Sequence, residues 1–570
     1  MVSANSFHPT HQQLEVADRF RLGDALRVNA YAGTGKTSTL EFLSKQTRKR
    51  GLYLAFNRVI AKEAVGRFGA NTACMTIHAL AQRNLPAEMR QKLAKDFVVP
   101  AQLLEDHLVR RCGIRRSEAA PYRRAVSQCL QAYFRSADAR PSVEAAPYGF
   151  QFDFQNLEPD TLNRALVSCW ASMARFDGEL PLSHGAYLKW FFLYGCIEGY
   201  DYIVVDEAQD LGPITVSIIR KAELQTVWVG DRYQAIYDWN GAENALDTIE
   251  GADEVFLTKS FRIGEERAEL VSALLADLDE FKPIVGNPDV KTIVGKGHQP
   301  VRIVRNNMTL LAKLLHLSKR KKVFALSGAG RLKKLVKDAD LLMRGKRPRG
   351  GQLSKFSNWE QVQDQAARRF GHPYTGFVRA IEEVGCQRAL EKLDDLADSA
   401  HNADITLSTV HGAKGCEFDA VSIYDDFRGQ KQKGQFYECM PAPVTRLLYV
   451  AVTRAKETLY IEKPLANRFG LARFEHQDAT IAADPEIVVP PVSAEPDYDV
   501  IEPVRASHVR DVHETYPVWS DSIRAHVDES ETPQRAARES AYDRYGGFAI
   551  GIALGLFVVI AFDFIGLVSL

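Results

Sequence analysis

The chain is expected to be an α/β protein with two parallel-sheet domains flanked by helices, on three observations. Its 570 residues exceed the roughly 250–300 that one hydrophobic core usually serves. Short apolar runs rich in β-branched residues recur, each followed by a polar or glycine-bearing turn and a helix-like stretch, which is the alternation of strand and covering helix. That series occurs twice along the chain, so two similar lobes with a cleft between them are expected.

Taken in order, Ala25–Ala30, Gly51–Phe56, Tyr202–Val205, Thr226–Val229 and Glu254–Leu257 supply the strands of a first domain, residues 1–78 and 200–260. Between them, residues 79–199 are mainly helical in pattern and form an inserted subdomain. Its basic cluster Arg110, Arg111, Arg115 and Arg116 reads equally well as a solvated charged face. Val301–Val304, Lys322–Leu326, Asp404–Ser408, Ala420–Tyr424 and Thr458–Glu462 supply a second domain, residues 261–475. Residues 476–545 are rich in Pro, Asp and Glu with little periodicity, the composition of a disordered acidic linker. From Gly546 to Phe562 run 17 consecutive apolar or glycine residues, long enough, with the residues to Leu570, for a C-terminal transmembrane helix. Gly547, Gly551 and Gly555 share one helical face, a pattern that lets membrane helices pack closely and self-associate. Arg535, Arg538 and Arg544 precede the segment, which orients the body of the protein to the cytoplasm. A buried core helix is the competing assignment for the same residues.

Composition narrows the function classes. A 46% apolar fraction with 25% charged residues excludes a fibrous or mostly disordered chain. The net charge of zero conceals an asymmetry: residues 476–545 hold 15 Asp and Glu against 6 Arg, so with Asp563 the other 475 residues carry about ten positive charges in excess. Such a body suits a polyanionic partner. Eight Cys without a CxxC pair argue against a zinc site or a disulfide framework and for a reducing compartment. Residues 1–13 show no secretory or transit pattern.

Two motifs carry chemistry. Val28-Asn29-Ala30-Tyr31-Ala32-Gly33-Thr34-Gly35-Lys36-Thr37, followed by Ser38, reads as a strand, a glycine-bearing turn and a helix start, which is a phosphate-binding loop. Gly33 and Gly35 let backbone N–H groups approach phosphate oxygens, Lys36 reaches the β- and γ-phosphates, and Thr37 can ligate Mg²⁺. Ala30 stands where the general pattern has its first glycine. Tyr202-Ile203-Val204-Val205-Asp206-Glu207-Ala208-Gln209-Asp210 is a buried-type strand ending in carboxylates, at the strand end where such sheets bind ligands. Asp206 would hold Mg²⁺ through water and Glu207 would orient and deprotonate the attacking water. Alone, such a strand end is as often a polar terminus; paired with Lys36 it points to ATP.

In their order these motifs resemble the UvrD/Rep-like superfamily 1 DNA helicases over residues 7–465, and within them the F-box DNA helicase family, without an F-box. The resemblance implies two RecA-like P-loop NTPase domains. Val229-Gly230-Asp231-Arg232-Tyr233-Gln234-Ala235-Ile236-Tyr237 matches the family's third motif, implying that Gln234 senses the γ-phosphate. Leu257-Thr258-Lys259-Ser260-Phe261-Arg262 matches the next, implying Phe261 near the adenine and Arg262 at the γ-phosphate. Thr409-Val410-His411-Gly412-Ala413-Lys414-Gly415-Cys416-Glu417-Phe418 is similar to the fifth, with Glu417 near the ribose and His411 near the strand. Leu448-Tyr449-Val450-Ala451-Val452-Thr453-Arg454-Ala455-Lys456 resembles the sixth, making Arg454 an arginine finger that acts when the cleft closes. Gln13, with Gln12 beside it, fits the adenine-reading glutamine. For single-stranded DNA the implied contacts are Phe56, Asn57, Thr76, His78, Tyr237, Trp239 and His411, with aromatic faces suited to sequence-tolerant stacking.

The implied activity is an ATP- and Mg²⁺-dependent 3'-to-5' DNA helicase or translocase acting on single-stranded DNA and on duplex with a 3' single-stranded tail, in repair or recombination. Asn240 replaces a common Arg, Pro443-Val444 replace common acidic residues, and the short interval from Arg262 to Thr409 implies a reduced second insertion. These departures keep open a membrane-tethered ATP-gated binder, or a translocase that strips proteins without robust unwinding.

Overall fold

The computed structural model describes residues 8–474, apart from 96–98, 145–156, 238–243, 318–320, 368–372, 430–438 and the single positions 296, 298, 327 and 350. The expected linker 476–545 and membrane span 546–570, and also Trp239 and Asn240, lie outside the described residues. Among the described residues no helix is long and apolar enough to cross a membrane.

Among the described residues, twelve strands form two six-stranded sheets. The first contains β1 (Leu26–Ala30), β2 (Gly51–Leu54), β3 (Thr72–Met75), β4 (Tyr202–Val205), β5 (Gln225–Gly230) and β6 (Asp253–Leu257), in the order β3-β2-β4-β5-β1-β6. The second contains β7 (Ile293–Gly295), β8 (Val301–Val304), β9 (Val323–Ala325), β10 (Ile405–Thr409), β11 (Phe418–Ile423) and β12 (Ala455–Ile461), in the order β7-β12-β11-β8-β10-β9. Every pairing is parallel. Parallel strands demand crossovers, and burial on both faces explains the nearly unbroken apolar runs of β2 and β4. β3 and β7 go beyond the strands expected from sequence.

Because the strands share one direction, the segments after β1, β4, β5 and β6 all emerge at one edge of the first sheet. Residues 31–37, 206–210, 231–237 and 258–262 thereby become neighbours although up to about 230 positions separate them. Between β3 and β4 the chain makes a set of helices that includes Ala119–Arg135, Pro159–Ala174 and His184–Tyr194. These do not hang free: Tyr133, Trp170 and Phe191 share a continuous core with Leu52, Leu54, Ile203 and Val205 of the sheet. Between β9 and β10 the helices Ala329–Met343, Trp359–Ala367, Pro373–Val384 and Cys386–Asp394 pack in the same way on β9 and β10.

The two sheets meet through a third core. Tyr31, Ala32, Tyr233 and Ile236 from the loops of the first sheet pack with Leu270, Leu274, Val410, Leu448 and Tyr449 around the second.

Candidate active site

The loop from β1 into the helix Lys36–Lys45 is built on two glycines in the left-handed region, Gly33 at φ 74° and Gly35 at φ 80°. A Cβ on Gly33 would lie 2.6 Å from Arg262 Cβ and 2.7 Å from Ser260 Oγ, so no side chain fits there. Gly35 caps the helix without a side-chain hydrogen bond, leaving the first helical N–H groups available to an anion. Around the loop, the Phe261 N–H donates to Gly33 O at 2.7 Å and Ser260 Oγ to Ala32 O at 3.0 Å, tying it to the segment after β6. Lys36 forms no ion pair among the described residues, but its ammonium bears on Asp206, Glu207, Asp210 and Asp231. The Lys36 ammonium thus lies amid four carboxyl groups without an ion pair to any of them among the described residues.

Asp206 is buried at the end of β4, where its Oδ2 accepts from Thr37 Oγ1 at 3.0 Å and from the Tyr53 hydroxyl at 2.9 Å. Burial, then the charge of Glu207, push its carboxyl above the usual range. Glu207 goes the other way: burial would raise it, but Lys36, the Gln209 amide, Lys414 and Arg454 together bring it below its ordinary value. Two adjacent carboxyls thus have opposite tendencies, and Glu207 is the one kept ionised and able to accept a proton. Its backbone sits at φ 53° and ψ 43°, a left-handed conformation that costs a non-glycine residue about 1–2 kcal/mol. Thr37 and Asp206 present hard oxygen donors beside one another, a set that fits Mg²⁺.

From the second lobe, the helix Ala442–Val452 delivers Tyr449 and, just beyond it, Arg454. Arg454 is 3% exposed; its Nε donates to Val450 O at 2.9 Å and its Nη2 to Gln234 Oε1 at 3.3 Å. Burial and the neighbouring Arg262 lower its guanidinium to about 10, and it stays charged at neutral pH. Gln234 in turn donates to Asp231 at 2.7 Å, and Tyr449 donates to the same carboxylate at 2.9 Å. Gly230 makes room for this: a Cβ there would meet Gln209 Oε1 at 2.2 Å, the oxygen that accepts from Asp231 N–H at 3.1 Å. Arg262 pairs with Glu417 and donates to Thr453 O at 3.4 Å, so both residues line the same seam.

The two glutamines separate. Gln12 donates to Thr258 Oγ1 at 3.0 Å and accepts from Thr258 N–H at 2.9 Å, against β6. Gln13 donates to Thr39 Oγ1 at 3.0 Å, and a Cβ on Gly35 would lie 3.2 Å from its Nε2 and 3.4 Å from the Phe261 ring. Gln13 and the exposed Phe261 therefore border the loop together, while Gln12 faces away.

The residues expected to meet nucleic acid fall into two groups. Phe56, 45% exposed, and Asn57, Thr76 and His78 follow the adjacent strands β2 and β3. Asn57 accepts from Val59 and Ile60 N–H, and Thr76 from Ala79 N–H, so each also caps a helix. His78 stacks on His184 at 3.9 Å, and burial lowers it to about 3, keeping it neutral. The second group lies at the seam: His411 hydrogen-bonds Ile236 O at 3.0 Å, and its ring centroid lies 5.8 Å from that of Tyr237. Next to them Lys414 binds both oxygens of Asp210, and Gln234 O at 2.6 Å, with its ammonium 4.8 Å from the Tyr237 ring centroid. Asp210, Asp231, Lys414 and Tyr449 lie within the motifs, but nothing local in the sequence assigns them a role. Their partners lie about 180–220 residues away, and the one available signal was that Asp231, like Asp206, follows a buried strand at the ligand-binding edge.

Comparison with known proteins agrees with this geometry. Residues 48–253 match the UvrD/REP helicase N-terminal domain, and residues 313–464 match the UvrD-like helicase C-terminal domain. The chain is 29% identical over 511 residues to F-box DNA helicase 1 of Gallus gallus, covering 81% of this chain and 50% of that protein. It is 27% identical over 528 residues to F-box DNA helicase protein 1 of Schizosaccharomyces pombe, covering 82% and 59%. A probable DNA helicase II homolog of Mycoplasma pneumoniae is 45% identical over 73 residues, 12% of this chain. The chain thus spans only half to three-fifths of the length of the first two relatives.

Proposed function

We propose that this chain, which belongs to the UvrD-like helicase family, hydrolyses ATP in the cleft between its two sheets and uses the closure of that cleft to move 3'-to-5' along single-stranded DNA. The observation that carries the proposal is the junction of Arg454 with Gln234 at 3.3 Å, which brings a cation of the second lobe to the carboxylates and phosphate loop of the first.

The loop amides from Gly33 to Gly35, with Lys36, bind the triphosphate. Glu207, held ionised, orients the attacking water and takes its proton, while Arg454 and Arg262 offset the charge that develops on the transferred phosphoryl group. Thr37 and Asp206 would hold Mg²⁺, which supplies further charge neutralisation at the phosphate oxygens. Gln13 and Phe261 border the adenine and Glu417 the ribose. Since Arg454 belongs to the opposite lobe, hydrolysis requires closure, and product release permits opening. Lys414, His411 and Tyr237 lie at the same seam, so a strand gripped there is moved by the same opening and closing. Repair or recombination is the proposed setting, and residues 546–570 the proposed membrane tether. Co-sedimentation of the full chain with lipid vesicles, abolished by removing those residues, tests the tether.

The decisive experiment measures ATP hydrolysis by the full chain with and without single-stranded DNA, with RNA in parallel, and unwinding of duplexes carrying a 3' or a 5' tail. DNA-stimulated turnover, lost in Lys36→Ala, with unwinding from the 3' tail is the expected result. Turnover retained in Lys36→Ala would sink the site assignment. Stimulation without unwinding would instead favour a translocase that strips proteins, the reading suited to a short insertion between Arg262 and Thr409.

A further inference from the structure

We infer that Tyr449 of the second lobe is a positioning residue through which the phosphate loop of the first lobe sets the orientation of Gln234 and, through Gln234, of Arg454. The inference rests on the ATPase reading above.

Tyr449 is fully buried in the helix Ala442–Val452 of the second lobe, yet both hydrogen bonds of its hydroxyl go to the first. It accepts from the Ala32 N–H of the phosphate loop at 3.3 Å and donates to Asp231 Oδ2 at 2.9 Å. That same oxygen accepts from Gln234 Nε2 at 2.7 Å, while Tyr233 N–H at 3.2 Å holds the other oxygen of Asp231. With its nitrogen committed to Asp231, the Gln234 amide can present only its oxygen to Arg454 Nη2. The contacts form one continuous line, Ala32 amide, Tyr449 hydroxyl, Asp231 carboxylate, Gln234 amide, Arg454 guanidinium, with donors on both arms converging on Asp231. A shift of Ala32 when phosphates enter the loop displaces the bond that holds Tyr449 and is passed along every later link.

A buried tyrosine ordinarily needs one partner for its hydroxyl, and a single carbonyl would serve. This one joins a phosphate-loop amide to a carboxylate after β5. Burial and the charge of Asp231 push its hydroxyl well above the ordinary value, so it donates at every working pH. Its ring rests edge-on against Tyr233 at 6.3 Å, and Tyr449→Phe preserves that packing while deleting both hydrogen bonds.

The test uses the full chain and steady-state ATP hydrolysis at saturating single-stranded DNA. Loss of a hydrogen bond to a charged acceptor predicts a fall in kcat of about 10- to 100-fold for Tyr449→Phe, with KM for ATP little changed. Gln234→Ala should lower kcat as well, and the double variant should be no slower than Gln234→Ala alone, because the two act in series. Asp231→Asn, which leaves the Tyr449 side chain itself intact but removes the charged acceptor it shares with Gln234, should reproduce the kcat defect and guards against a folding fault in Tyr449→Phe. An unimpaired Tyr449→Phe, or a double variant whose loss is the product of the single losses, overturns the relay while the ATPase reading stands. A wild-type chain without turnover removes both.

Discussion

Asp210 and Lys414 meet across the cleft with side chains only 2% and 8% exposed, and breaking such a pair by removing one partner leaves a buried charge uncompensated. Burial raises the Asp210 carboxyl to about 7, with Lys414 opposing the rise. The folded chain therefore binds a proton between about pH 4 and 7 that the unfolded chain has released. The contribution of this group to stability is complete below the unfolded value near 4 and is lost as pH rises through about 7. Melting temperatures of wild type relative to Asp210→Asn should fall across that window and level off above it; a flat difference would refute the assignment. At this scale the sequence was legible where the placement of a residue is set by its own motif. Lys36, Thr37, Asp206 and Glu207 sit in contiguous motifs whose spacing is enough to bring them together. Tyr449 and Asp231 do not, since their meaning lies in a contact spanning 218 positions. Gln12 and Gln13 could not be told apart until the capping box at Thr10 fixed which of them turns toward Gly35.

Among the elements, the helix Arg58–Ala64 depends on its cap: Asn57 Oδ1 takes the N–H of Val59 at 2.9 Å and of Ile60 at 3.0 Å. Asn57→Ala should cost about 1 kcal/mol in denaturant unfolding, whereas Asn57→Asp keeps the cap and adds a negative charge. If Asn57 also faces nucleic acid, Asn57→Asp should weaken DNA binding at unchanged stability; equal binding would leave it a cap and nothing more. Strands such as β4 were readable to the residue because burial on both faces writes them as apolar runs. β3 and β7 escaped because neither stands out as a long buried run. Thr72–Met75 is only half-buried along its length, and Ile293–Gly295 is three residues long, so neither carries an apolar run to recognise.

For the molecule as a whole, the alternation of strand and helix disclosed two parallel sheets, but not how they touch. No periodicity within either half encodes the seam, which depends on residues from two loops of one sheet finding the helices of the other. That seam is apolar as well as charged: Tyr31, Ala32, Tyr233 and Ile236 are enclosed with Leu448, Val410 and Leu274 in a single core. Parting the lobes wets this surface, and closing them dries it. Closure thus carries a calorimetric signature, because removing apolar area from water lowers the heat capacity. Titration of a non-hydrolysed ATP analogue at several temperatures should give a binding enthalpy that grows more negative on warming, and a temperature-independent enthalpy would mean that the seam stays shut. Lobes that share an apolar core also have a thermal preference built into the proposed closure: as the cost of wetting that surface weakens toward the cold, the closed state loses part of its advantage, and the proposed balance between open and closed shifts with temperature alone.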